Sequence, residues 1–236
     1  MLIEGRNPIL ESLVAKKDIS EILVKKGIVP DEKVERIIGM AKKRGIRVKY
    51  VDKKFLDRKS NTGIHQGMIA YRANESKANL KDLIANANHD LFIIYVREAQ
   101  NEYNIGSIMR TAEAVGADAV ILPPKIKLST LMVRSAMGAS EHINIINESL
   151  FNAIKLCSKN AVKTVGIEVT GDKYYFEADL TGSVMMIIGG EDRSLSDTIT
   201  SKLDEVVKIP LKGKVNSLNM SIAASVVMYE KLKQSL

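Results

Sequence analysis

The sequence has a single cysteine, Cys157, and only three histidines, His65, His89 and His142, scattered over 236 residues. One thiol excludes an intrachain disulfide and a cysteine cluster for structural zinc, and histidines so placed make no metal-ligand spacing. No metal is expected. Cys157, in AIKLCSKN near the end of an expected helix, reads as a buried small hydrophobe rather than a reactive thiol. No stretch approaches the ~20 apolar residues that cross a bilayer, and acidic Glu4 stands where a secretory leader keeps a basic flank. The expectation is a cytoplasmic protein with no membrane partner. Neither G-x-G-x-x-G nor G-x-x-x-x-G-K-S/T occurs, so the glycine signatures of dinucleotide and phosphate loops are missing, as are repeats and low complexity.

What is present is a globular balance, 45% hydrophobic and 27% charged, enough to bury one large core or two modest ones. Charge is divided unevenly. Residues 1–75 hold 17 Lys or Arg against 10 Asp or Glu, so the whole net charge of +7 lies there, whereas residues 76–236 hold 18 of each sign. A basic module joined to a neutral one suggests that the first meets a polyanion and the second does chemistry or pairs with itself.

The apolar pattern divides the chain at the same place. In the basic part, a short helix at 8–15, an extended segment at 20–24 and a turn at Gly27 precede Pro30. Asp31 and Glu32 suit the start of a helix carrying Val34, Ile37, Ile38 and Ala41 to a stop at Gly45. Strands at 46–50 and 66–71 flank a short helix from Lys53 to Leu56. Residues 72–88 are polar and rich in Asn and Ala, with one weak helix. Beyond His89, apolar runs at 91–96, 118–122, 143–146, 162–169, 184–188 and 206–209 alternate with helical segments, as strands buried on both faces of a mostly parallel sheet do. The expected organisation is a domain at 1–75, a linker at 76–88 and a second domain at 89–236.

Three segments of the second domain can carry chemistry. NEYNIGSIMRTAEAVGADAV, residues 101–120, follows an expected strand; Asn104 is placed to cap the incoming helix, and Arg110 lies within its first turns. An arginine just beyond a strand end can reach the cleft where open α/β sheets bind ligands, although the same pattern also fits an ordinary helix with a surface arginine. MMIIGGEDRSLSD, residues 185–197, ends an apolar strand in Gly189 and Gly190, which let backbone approach a ligand closely; alone it is also a plain tight turn. IPLKGKVNSLNMSIAASVVMYEKL, residues 209–232, passes through Pro210 and Gly213 to Ser217 and Asn219 and into a long helix with small residues, and Ser217 there can be a simple helix cap.

Together, in this order, the three segments resemble the motifs of the SpoU (TrmH-type) branch of the knotted SPOUT methyltransferases, which methylate ribose 2'-hydroxyls of transfer and ribosomal RNA. IEGRNPIL and HQGMIAY at the front also resemble the small substrate-binding domain of the ribosomal RNA members, so the likeness covers nearly the whole chain. It implies an α/β fold with a C-terminal deep trefoil knot, preceded by an L30e-like α/β domain, and S-adenosylmethionine as cofactor. By position it assigns catalytic roles to Asn104, Arg110, Glu191, Ser217 and Asn219, and cofactor contacts to Gly189, Gly190, Ile209, Leu211, Leu218 and Asn219. Arg6, Lys42, Lys43, Arg44, Arg47 and Arg110 are the expected RNA contacts, and a homodimer through the catalytic domain is expected. The favoured substrate is a guanosine of 23S ribosomal RNA, with transfer RNA or a ribosomal adenosine as alternatives. The chain departs from the family pattern at Asp192, Arg193 and Ser194 in place of a glycine-rich turn, at Leu211 for methionine, and at Glu102 and Tyr103 for Asp-Pro. Those departures leave a competing reading, an RNA-binding protein whose methyltransferase domain has degenerated.

Overall fold

In the computed structural model, which describes residues 1–72, 78–97, 101–189 and 195–236, the basic first third folds around strands β1 (Leu2–Glu4), β2 (Ile19–Lys25), β3 (Arg47–Val51) and β4 (Met68–Arg72) and helices α1 (Arg6–Val14), α2 (Glu32–Lys43) and α3 (Lys53–Lys59). The strand order is β1-β4-β2-β3, parallel between β2 and β3 and antiparallel elsewhere. Helix α2 starts because Asp31 accepts a hydrogen bond from the Val34 amide at 2.8 Å, satisfying an amide that the first turn leaves without a partner. Its buried Val34, Ile37 and Ala41 recur at helical spacing. Strand β1 is an addition to the expected elements: its three residues are too few to show a period.

The rest of the chain supplies α4 (Leu80–Ala85), β5 (Phe92–Val96), α5 (Glu102–Ala114), β6 (Ala119–Leu122), α6 (Thr130–Ser135), β7 (Asn144–Asn147), α7 (Leu150–Lys159), β8 (Lys163–Ile167), β9 (Lys173–Tyr174), β10 (Val184–Ile188), α8 (Asp197–Thr200), β11 (Glu205–Lys208) and α9 (Met220–Gln234). Seven strands lie in the order β7-β6-β5-β10-β8-β11-β9, and every described pairing is parallel. Central β5 and β10 are buried along their whole length, which is why they read as unbroken apolar runs. The core around Ile93, Tyr95, Ile121, Met185 and Ile187 also takes in Leu80 of the expected linker and Cys157. Burial there pushes the Cys157 thiol up to about 12, so it behaves as the small hydrophobe expected. Because the strands run one way, the segments leaving β5, β8, β10 and β11 all start from one edge of the sheet, where open parallel sheets hold ligands.

The chain divides into two compact units, Met1–Ser76 with Leu128–His142, and Lys77–Lys127 with Ile143–Leu236. Residues 128–142 fall inside the expected second domain by sequence yet fold with the first unit. Val133 of α6 joins the core formed by Ile3, Ile9, Ile22 and Val34, and buried Glu141 accepts a 2.7 Å hydrogen bond from buried Arg72. Thr130 adds a hydrogen bond from its hydroxyl to the Leu2 carbonyl at 3.2 Å.

Candidate active site

At the carboxyl edge of the parallel sheet lies a cavity of about 400 Å³ whose walls include Asn101, Asn104, Glu168, Gly189, Ile209, Leu211, Ser217, Leu218 and Asn219. Its size falls within the range of small-molecule sites, ~300–1,000 Å³. Most of these residues lie where the chain has just left a strand or is about to enter a helix, and Asn104 lies inside the first turn of one.

Helix α5 is capped by Asn101, whose side chain accepts from the Tyr103 amide at 2.9 Å; this corrects the expectation that Asn104 is the cap. Asn104 instead sits in the first turn and is buried. Its Oδ1 accepts a hydrogen bond from Nδ2 of Asn219 at 3.2 Å. Asn219 is in turn the cap of α9, accepting from the Ser221 amide at 2.9 Å, so Ser217 is not the cap. The hydroxyls of Thr111 and Ser225 meet at 3.1 Å further along the same two helices. The first and third motif segments are therefore joined side chain to side chain at the cavity wall.

The second segment enters through Gly189, at the end of β10. A Cβ there would overlap the Glu168 carboxylate, so the glycine leaves room for that side chain where it stands, and no unusual backbone angle is involved. Glu168 follows β8 and uses Oε1 to accept from the Leu195 amide at 2.6 Å. Sequence reasoning missed both Glu168 and Asn101. The signal for Glu168 was available: a lone acid within the apolar run at 162–169, near the strand end where such sheets bind ligands. Gly190 and Glu191, the other expected residues of this segment, lie outside the described residues.

Residues 91–229 match the model of the SpoU rRNA methylase family, and residues 2–75 match that of the RNA 2'-O ribose methyltransferase substrate-binding domain. The chain belongs to the SpoU methylase family. It is 32% identical over 96% of its length to YacO, a candidate TrmH family tRNA/rRNA methyltransferase of Bacillus subtilis, covering 92% of that protein. A candidate methyltransferase of the same family from Staphylococcus aureus is 31% identical over 99% of this chain and 96% of its own. Two solved structures share the fold. The SpoU methyltransferase AviRb of Streptomyces viridochromogenes, in complex with AdoMet, superposes with a TM-score of 0.85 at 20% identity, over 100% of this chain and 90% of its own. An AdoMet-bound rRNA methyltransferase of Sinorhizobium meliloti gives 0.82 at 22% identity, over 100% and 87%.

Of the residues matched to the SpoU motifs, Asn104, Gly189, Ile209, Leu211, Ser217, Leu218 and Asn219 thus share one cavity, while Arg110 does not line it. Arg110 follows Asn104 by six residues, which places the two side chains roughly 120° apart around the helix; Asn104 is buried and Arg110 exposed. Among the described residues no hydrogen bond or ion pair engages the Arg110 side chain. The expected RNA contacts of the SpoU front domain separate into two kinds. Arg6 pairs with Asp31, Arg44 donates to the carbonyls of Leu13 at 3.2 Å and Lys17 at 2.7 Å, and Arg47 pairs with Glu21 at 3.4 Å. Lys42 and Lys43 are exposed in the last turn of α2 and make no ion pair among the described residues. Among those residues no group of His, Cys, Asp or Glu is arranged to hold a metal.

Proposed function

We propose that this member of the SpoU family, an S-adenosylmethionine-dependent methyltransferase, methylates the ribose 2'-hydroxyl of a structured RNA, with a 23S ribosomal RNA guanosine as first candidate and transfer RNA or a ribosomal adenosine next. The observation that carries the reading is the convergence of Asn104, Gly189, Ile209, Leu211, Leu218 and Asn219 on one cavity. Gly189, with no side chain to intrude, and the apolar Ile209, Leu211 and Leu218 suit a flat purine and its ribose. Bound there, S-adenosylmethionine supplies an electrophilic methyl group.

The residues contribute placement. Good orientation of reacting groups is worth ~7–11 kcal/mol, and the Asn104–Asn219 bond keeps the two helix starts in register. Arg110 has the chemistry to hold an RNA phosphate and polarise the attacking hydroxyl; a guanidinium stays protonated and is a poor base. Ser217, exposed at the cavity wall, is within the segment suited to arrange the incoming hydroxyl. The reading includes the family's knotted chain path and a homodimer of catalytic domains, for which exposed Tyr103, Ile222 and Tyr229 are the apolar contacts.

Arg110→Ala is expected to fold, to bind S-adenosylmethionine within about twofold of the parent, and to lose methyl transfer by at least ~10³-fold, the scale of removing a preorganised charge from a transition state. Undiminished transfer removes Arg110 from the reaction. Mass-spectrometric mapping of 2'-O-methyl groups in total RNA from cells with and without the gene names the nucleotide; identical maps would contradict the activity itself.

A further inference from the structure

Glu168 contributes the one ionisable side chain among the described residues that line the cavity. Every other described wall residue carries an amide, a hydroxyl, a thioether or a hydrocarbon side chain or is a glycine. The carboxylate is also held in place. Its Oε1 accepts from the Leu195 amide at 2.6 Å, and its position is matched to the missing side chain of Gly189, where any Cβ would collide with it. Backbone fixes it from the other side, the Glu168 amide donating to the Val207 carbonyl at 2.9 Å and its carbonyl accepting from Gly171 at 3.3 Å. The carboxylate stands half-buried, its second oxygen makes no hydrogen bond to the protein among the described residues, and it puts an acidic group on the cavity wall.

We infer that Glu168 makes the cavity select by charge, favouring the cationic methyl donor over the neutral product that remains after transfer. The inference rests on the reading of S-adenosylmethionine as donor. The two molecules share adenosine and the amino-acid tail. They differ by a methyl group and, with it, by the positive charge on sulfur. Apolar walls hold both alike and neutral dipoles separate them weakly, whereas in a partly desolvated cleft one carboxylate has the strength to separate them clearly. Such a bias speeds turnover at the end of the reaction: once the methyl leaves, the same carboxylate no longer attracts what stays behind, and the product departs. Glu168 acts here as a specificity-determining and positioning residue; the bond from Leu195 serves to aim the charge.

The test is isothermal calorimetry on the full chain with S-adenosylmethionine, S-adenosylhomocysteine and sinefungin, whose ammonium stands at the place of the methyl sulfonium. Glu168→Gln keeps an oxygen for the Leu195 amide and removes the charge. It is expected to weaken S-adenosylmethionine and sinefungin by roughly tenfold while leaving S-adenosylhomocysteine within about twofold. Glu168→Asp keeps the charge on a shorter arm; it is expected to retain the preference for the cationic ligands while weakening all three to a similar extent. A Gln variant that loses all three ligands equally, or none, overturns the inference, because a merely structural role moves charged and neutral ligands together. If the parent protein binds none of the three, the donor reading fails and this inference with it.

Discussion

In the first unit, Glu4, Arg72 and Glu141 are buried and each finds partners inside the unit, whereas in the second the polar side chains of Asn104, Glu168, Ser217 and Asn219 border a shared open volume. Glu4 collects hydrogen bonds from the Ser60 and Thr62 hydroxyls and the Asn61 and Thr62 amides, and Arg72 meets Glu141. Arginine follows the same division. Arg6, Arg44 and Arg72 brace the first unit, while Arg110 in the second is exposed. Polar groups closed on one another fix a shape; polar groups at the cavity wall, though partly engaged as Asn104 is with Asn219 and Glu168 with the Leu195 amide, also present a face to whatever enters the cavity. The difference separates scaffold from site more sharply than residue type does.

The largest effect that bears on this comparison is the loss of one member of the closed pair. Arg72→Met leaves Glu141 buried without its partner and is expected to cost about 3–5 kcal/mol in urea unfolding, with the double variant Arg72→Met, Glu141→Leu costing less. A double variant as damaged as the single would mean that packing, not pairing, is at stake. Glu4 comes next. Burial by itself raises the carboxyl, but the bonds from Ser60, Thr62 and Asn61 outweigh it and the net shift is downward. Its contribution to stability is therefore complete above the ordinary glutamate value of the unfolded chain and disappears as pH falls through the lower native value. Glu4→Gln is expected to lose about 2 kcal/mol at neutral pH and to show a flatter dependence of the urea midpoint on pH below ~4.3; an unchanged slope would remove Glu4 from the acid response.

On the cavity side, Gly189→Ala drives a methyl group against the Glu168 carboxylate. Donor affinity is expected to fall at least ~tenfold (about 1.4 kcal/mol) with little change in urea midpoint, the reverse of the two scaffold variants. Equal affinity would show that the collision is relieved by a small shift of Glu168. The smallest effect belongs to the surface. Lys42→Ala with Lys43→Ala is expected to weaken RNA binding several-fold, to flatten its dependence on log salt by about 2, and to leave donor binding untouched. An unaltered salt slope moves the RNA contact elsewhere on the first unit.

Much of this was legible in the sequence, for physical reasons that also explain the gaps. Doubly buried strands such as β5 and β10 announce themselves as continuous apolar runs, and the helix at Asp31 carries its cap and its apolar stripe together. Strands β1 and β9 have three and two residues, too few for any period. The capping of α5 was misread because NEYN offers two asparagines three apart, and only the fold shows Asn101 outside the helix and Asn104 inside. The arginines were read by charge alone, which does not reveal that Asp31, Glu21 and the carbonyls of Leu13 and Lys17 occupy them. Glu168 escapes sequence reading because it sits inside an expected apolar run, one residue before Val169, and such a run is read for burial rather than for the acid within it.

The grouping of residues 128–142 with the first unit also has a meaning in time. A chain made from its amino end has produced all of β1 to β4 by Arg72, yet Val133, which belongs to their core, and Glu141, the partner of Arg72, are still unmade. At roughly 5–20 residues per second, the ribosome takes roughly 3–14 s to pass from Arg72 to Glu141. Through that interval the emerging front unit holds a buried-type arginine without its carboxylate and a core without its last aliphatic piece. Its final consolidation is set by synthesis of the middle of the chain, after β5 and β6 have already been made.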